Sequence, residues 1–86
     1  MRIPLSQLEP GEAACIEEIA LSEGEQQLLM RFGFLVGTEV RCSRRAPLGG
    51  PAVYAMDGSE TALRAETAGR IFVSRIATRP ETELPE

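Results

Sequence analysis

Eighty-six residues make one small domain, in which nine Arg, with no Lys, no His and no Trp, face thirteen Asp plus Glu for a formal charge of −4. Without Lys there is no P-loop lysine and no Schiff base. Without His there is no Ser-His or Cys-His nucleophile and no imidazole zinc ligand.

Residues 3–11 read as a lead-in punctuated by Pro4, Ser6, Pro10 and Gly11, with Leu5 and Leu8 available to anchor it to a core. A strand is predicted from Glu12 to Leu21 on Ala14, Ile16 and Ile19, and its broken alternation calls for a bulge at Glu17-Glu18. Ser22 followed by Glu25 is a capping box that opens a helix from Glu23 to Phe32. Glu23 and Glu25 at its start and Arg31 at its end suit the helix dipole, and Gly33 is placed to end it in the left-handed conformation. Leu28, Leu29 and Phe32 form a broad apolar face that reads as core, with Met30 on the far flank. Leu28 and Met30 are two positions apart, so one of them stays part-exposed, and a partner contact is the alternative reading.

From Thr38 the period becomes two, with Val40, Cys42 and Arg44 on the core side and Arg41, Ser43 and Arg45 on the other. Ala46 to Pro51 is a loop by its Pro and Gly content, and Ala52 to Met56 is the next strand. Asp57-Gly58 is a hairpin turn, Ser59 to Leu63 returns, and Arg64 to Gly69 holds one short helical turn. Ile71 to Ala77 is the last strand, so the domain takes residues 1–79 and the acidic stretch 80–86 reads as a disordered tail. Five short strands around one helix predict a mainly β chain. The expected architecture is a small SH3-like or OB-like β-barrel with one short α-helix and a short helical turn, closed so that no strand edge is exposed.

The charge is uneven. Residues 9–25 hold six Glu and no base, whereas Arg31, Arg41, Arg44 and Arg45 face only Glu39. An acidic chain argues against a nucleic-acid partner, and the arginine cluster reads first as a solvated strand face. No run approaches the ~20 apolar residues of a membrane span, and Met1-Arg2-Ile3-Pro4 carries no apolar signal region, so neither membrane insertion nor secretion is expected. Cys15 and Cys42 are too far apart for a CxxC pair and read as reduced cytoplasmic thiols, Cys42 as a core residue. A metal site using both would need a further strong ligand, and adjacent Glu17 and Glu18 face opposite ways unless a bulge intervenes. No metal, other cofactor or catalytic residue is assigned. One contribution needs neither His nor Lys: an arginine inserted into a partner's site of phosphoryl transfer, with Arg31, Arg44 and Arg45 as candidates.

The stretch from Leu29 to Thr38, with its Leu29-x-x-Phe32-Gly33 helix end, is followed at Arg44 to Pro51 by an Ala-Pro-Leu-Gly-x-Pro loop. Together with Leu5-x-x-Leu8-x-x-Gly11, Ala62-Leu63-Arg64 and Ile71-Phe72-Val73, this resembles the FeoA family of ferrous iron transport proteins over residues 5–77. The chain departs from the family pattern at Gly50, often an acidic residue there, and at Val36, often Pro. The resemblance implies an SH3-like barrel acting in the cytosol with the membrane GTPase-transporter FeoB, as an accessory or regulatory protein of ferrous iron uptake without a catalytic residue.

The first functional expectation is therefore a protein-interaction module. Its candidate partner surface is Met30, Arg31, Arg44, Arg45, Pro47, Leu48 and Gly49, with the exposed flank of the helix next to the Pro/Gly loop. The alternatives are a GTPase-stimulating factor that supplies an arginine to the transporter's G domain, and an iron-responsive metal-binding adaptor. A weak homo-oligomer stays open.

Overall fold

The computed structural model describes residues 1–76. Within them the chain runs β1 (Arg2–Pro4), a 3-10 turn (Leu5–Gln7), β2 (Ala13–Ile19), α1 (Glu23–Met30), β3 (Glu39–Arg45), β4 (Ala52–Met56), β5 (Ser59–Leu63), α2 (Ala65–Ala68) and β6 (Ile71–Ile76). The strands form one antiparallel sheet in the order β1-β6-β2-β3-β4-β5. A mainly β chain with the SH3-like architecture is what the sequence predicts. The predicted closure is not met: β1 and β5 stand at the two ends of the sheet, unpaired with each other. The lead-in also supplies a sixth strand, because Arg2, Ile3 and Pro4 pair with Ser74, Val73 and Phe72.

The core lies inside the curl of this sheet. Leu5, Leu8, Ile16, Phe34, Val40, Cys42, Ile71 and Val73 have no exposed surface, and Tyr54 is 1% exposed. Leu5 and Leu8 thus anchor the lead-in as expected.

The bulge falls where broken alternation placed it, between Ile16 and Glu18. On its other side β2 keeps its β3 register through Ile16, whose N–H donates to Thr38 C=O at 3.0 Å and whose C=O accepts from the Gly37 N–H at 2.7 Å. A second bulge, between Cys42 and Arg44, was not foreseen. It reverses the facing of the strand's end, so Arg44 pairs with half-buried Val53 on the outer face. Arg45 lies opposite buried Ala52, contrary to the strict alternation.

Helix α1 begins on the expected capping box: the Glu25 N–H donates to Ser22 Oγ at 3.2 Å and the Ser22 N–H to Glu25 Oε1 at 3.3 Å. It ends at Gly33, φ +96°, in a Schellman turn. There the Gly33 N–H donates to Met30 C=O at 3.0 Å and the Phe34 N–H to Leu29 C=O at 3.1 Å. The broad core face does not form. Leu29 is the one buried residue of α1, while Leu28 and Met30 are 53% and 52% exposed and Phe32, just beyond, is 46% exposed. The helix lies on the curled sheet by one edge, and the turn sends Phe34 rather than Phe32 into the core. A Ser22→Ala variant should lose about 1 kcal/mol, a fall in Tm of about 4–8 °C for a domain this size. Thermal denaturation checks this, and an unchanged Tm contradicts it.

No helix among the described residues is long and apolar enough to cross a membrane. The predicted boundary at 79 and the acidic tail 80–86 lie outside the described residues.

Candidate functional site

The loop joining β3 to β4 is a tight structure with an unusual conformation at its tip. The Ala46 N–H donates to Pro51 C=O at 2.9 Å and the Gly50 N–H to Pro47 C=O at 3.2 Å. Between them Leu48 has φ +60° and Gly49 φ +74°, the pair of left-handed residues that a type I′ turn requires. Glycine adopts this conformation freely, but leucine brings its Cβ against the following carbonyl at a cost of about 1–2 kcal/mol. Gly50 closes the turn: a Cβ there would lie 2.8 Å from Ala46 Cβ and 3.3 Å from Pro47 O.

Leu48 itself has a fully exposed side chain. A hydrophobic residue is thus held in solvent, in a backbone conformation it disfavours, by a loop whose other residues enforce it. Pro47 and Gly50 frame the turn, and Gly49 is its second central residue. Arg44, exposed on the outer face, makes no ion pair among the described residues, whereas Arg45 Nη1 reaches Glu9 Oε2 at 3.3 Å. Arg45 also lines a small cavity of about 180 Å³ with Ser6, Gly49, Gly50, Tyr54 and Leu63.

Met30 and Arg31 do not join this loop. They sit where α1 ends, and the turn they lead into packs near Met56: a Cβ on Gly33 would lie 3.8 Å from Met56 Cε. Met56 is the last residue of β4 and the β3–β4 loop precedes the first, so the predicted single surface divides into two, at opposite ends of β4. The helix flank is therefore not next to the loop. At the helix end Met30 is accompanied by Phe32, Leu35 and Val36, which are 46%, 44% and 63% exposed. A groove of about 590 Å³ opens there between Met30, Leu35 and Val36 on one side and Glu17, Glu18 and Ile19 on the other. Phe32, Leu35 and Val36 were not among the predicted surface residues. The apolar run Phe34-Leu35-Val36 was visible, but only the Schellman turn decides which of its members goes inside.

The remaining chemistry is quiet. Cys42 is buried and burial pushes its thiol up, while Cys15 is half-buried against Ile16 and opposite Glu39. The bulge does re-aim Glu17 and Glu18, but toward the protein: Glu17 Oε2 accepts from Ser74 Oγ at 2.5 Å and Glu18 pairs with Arg2. No three His, Cys, Asp or Glu converge among the described residues as a metal ion would need. The Glu12 carboxylate is held below its usual range, chiefly by the Glu9 N–H at 2.8 Å, with Arg75 Nε at 3.0 Å. Tyr54, the chain's single tyrosine, donates to Leu5 C=O at 3.4 Å, and burial pushes its phenol up to about 12.

That shift sets an alkaline limit. The phenol is neutral in both folded and unfolded chains below about pH 10, so stability is untouched there. Above it the unfolded chain ionises first, and stability falls as pH rises toward the folded value. The ultraviolet band of tyrosinate should therefore appear together with loss of structure, and an ionisation near about pH 10 in the folded chain contradicts the account.

A family model described as the FeoA domain matches residues 3–75. Among solved structures, the fold is similar to that of a protein described as an iron uptake regulatory protein (FeoA), with TM-score 0.81 and 26% identity over 88% of this chain and 100% of that one. It is similar to the FeoA protein of Chlorobium tepidum, with TM-score 0.82 and 28% identity over 92% of this chain and 75% of that one. It is also similar to iron(II) transport protein A from Clostridium thermocellum, with TM-score 0.81 and 32% identity over 86% of this chain and 46% of that one. No curated protein sequence matches significantly.

Proposed function

The chain belongs to the FeoA domain family, and from that membership we propose that it is an accessory protein of ferrous iron uptake that acts by contact with a FeoB-type GTPase transporter. The relatives described as an iron uptake regulatory protein and as an iron(II) transport protein support the pathway. In this reading the chain works in the cytoplasm, catalyses no reaction of its own, and alters the transporter by binding it. The observation that carries the contact reading is Leu48, exposed at φ +60° on the β3–β4 loop. Strain retained at a fully exposed apolar residue has no benefit within the folded chain, and it is accounted for if the side chain is buried in a partner. Arg44, beside the loop, offers such a partner an unengaged charge. The test is co-purification of the chain with the cytosolic part of a FeoB-type transporter. Retention is expected, and a chain that passes through unbound overturns the reading.

A second reading has one observation in its favour. Arg31 and Arg44 are exposed and make no ion pair among the described residues, whereas Arg45 is engaged with Glu9. A free guanidinium can enter a nucleotide site and stabilise transition-state charge, an effect worth about 10³–10⁵ in rate where it operates. GTP turnover by the partner decides between the readings. Acceleration lost in Arg31→Ala or Arg44→Ala identifies an arginine supplied in trans. No acceleration, or acceleration that survives both substitutions, leaves contact alone.

A further inference from the structure

Strand β5 leaves half of its backbone unpaired. The two-residue turn at Asp57-Gly58 sets Met56 opposite Ser59, so Ser59, Thr61 and Leu63 turn their N–H and C=O groups toward β4. Glu60 and Ala62 turn theirs outward, and no backbone group among the described residues bonds to them. Arg64, extended at φ −69° and ψ 153°, continues the outward row. Its C=O accepts from the Ala68 N–H at 3.0 Å, while its own N–H has no backbone acceptor among the described residues. Glu60, Ala62 and Arg64 are all exposed.

The other edge of the sheet is protected. Strand β1 is three residues long, ends in Pro4, and passes at once into the 3-10 turn. Strand β5 has no proline and no bulge.

The outward row of β5 reads acid, alanine, base, so its charge reverses sign about Ala62. An antiparallel copy centred on Ala62 sets Glu60 against Arg64 at both ends of the pair. Centring on Glu60 or on Arg64 would instead set like charges face to face. The Glu60 carboxylate lies over the sheet, where Ser43 Oγ of β3 donates to its Oε2 at 3.2 Å, and it swings from there to the free edge to meet Arg64 of the second copy. The geometry points to a self-pairing edge: two copies of this chain join through antiparallel β5 strands about a two-fold axis at Ala62, making one continuous sheet. Each Ala62 N–H donates to Ala62 C=O of the second copy, and each Arg64 N–H to Glu60 C=O of the second copy. Four main-chain bonds and two exposed ion pairs make a small, reversible interface. This inference rests on the strand register and is independent of the transporter reading.

Analytical ultracentrifugation over a dilution series tests it, with far-ultraviolet circular dichroism reporting that each variant is folded. The wild-type mass should rise toward twice that of the monomer at high concentration, while amide exchange at Ala62 and Arg64 slows over the same range. Glu60→Arg should stay monomeric there, and Glu60→Arg combined with Arg64→Glu should dimerise again. Ala62→Pro should also be monomeric, since the Ala62 N–H has no backbone partner among the described residues; should that variant not fold, the charge-reversal pair decides. A wild type that is monomeric throughout overturns the proposal. So does a Glu60→Arg variant that dimerises like the wild type.

Discussion

Replacing Phe34 by Ala is expected to remove about half of the chain's stability. Its ring has no exposed surface and belongs to the main core cluster with Leu29, Met56 and Tyr54. Removing a buried phenylalanine costs about 3–5 kcal/mol in lost transfer energy and in the cavity left behind. A domain of this size has about 0.1 kcal/mol of stability per residue in total, so one substitution consumes a large fraction of it. Phe34 also supplies the apolar contact of the Schellman turn, opposite Leu29, so α1 should lose its C-terminal anchor in the same event. Phe32→Ala is the control. That residue is chemically identical and two positions away, but it is 46% exposed, and its loss should cost far less. Chemical denaturation of both variants measures the difference, and equal destabilisation would contradict the packing described here.

Leu48→Asn should do the reverse, leaving stability intact or raised while removing contact. Asparagine tolerates the left-handed conformation that leucine resists, so relief of about 1 kcal/mol is available. No native packing is lost, because the Leu48 side chain touches nothing within the fold. Most mutations that abolish binding by weakening a fold lower Tm, and this one is expected to hold or raise it. A Tm clearly below the wild type would mean that the loop is shaped by packing rather than by Gly49, Gly50 and Pro47.

Much of this architecture was legible because it is local. Ser22 with Glu25, Gly33, and Asp57-Gly58 act through main-chain chemistry within a few residues, and each does what its pattern predicts; Asp57 and Gly58 both have positive φ, as the two-residue hairpin needs. The bulge at Glu17 was visible because it breaks the alternation of apolar residues. The bulge after Cys42 was not, because Ser43, Arg44 and Arg45 are all polar and leave no apolar mark of the change in facing. The depth of α1 was equally hidden: Leu28, Leu29 and Phe32 look alike in sequence, and only the packing of the folded chain selects Leu29. Whether the sheet closes depends on strand tilt and stagger, which composition does not encode. For the candidate site, the loop was located from its Pro and Gly content, but a leucine gives no sign that it will stand at positive φ. The distance between Met30 and Leu48 was likewise beyond reach until β4 was seen to lie between them.

The central claim is that Leu48 is a contact residue. It is tested most directly by titrating the cytosolic part of a FeoB-type transporter with wild-type chain and with Leu48→Asn, each checked for its Tm. Burial of one leucine at an interface is worth about 1.5–3 kcal/mol, so the variant should bind about 10- to 100-fold more weakly at unchanged or higher Tm. Equal affinities for the two proteins would contradict it.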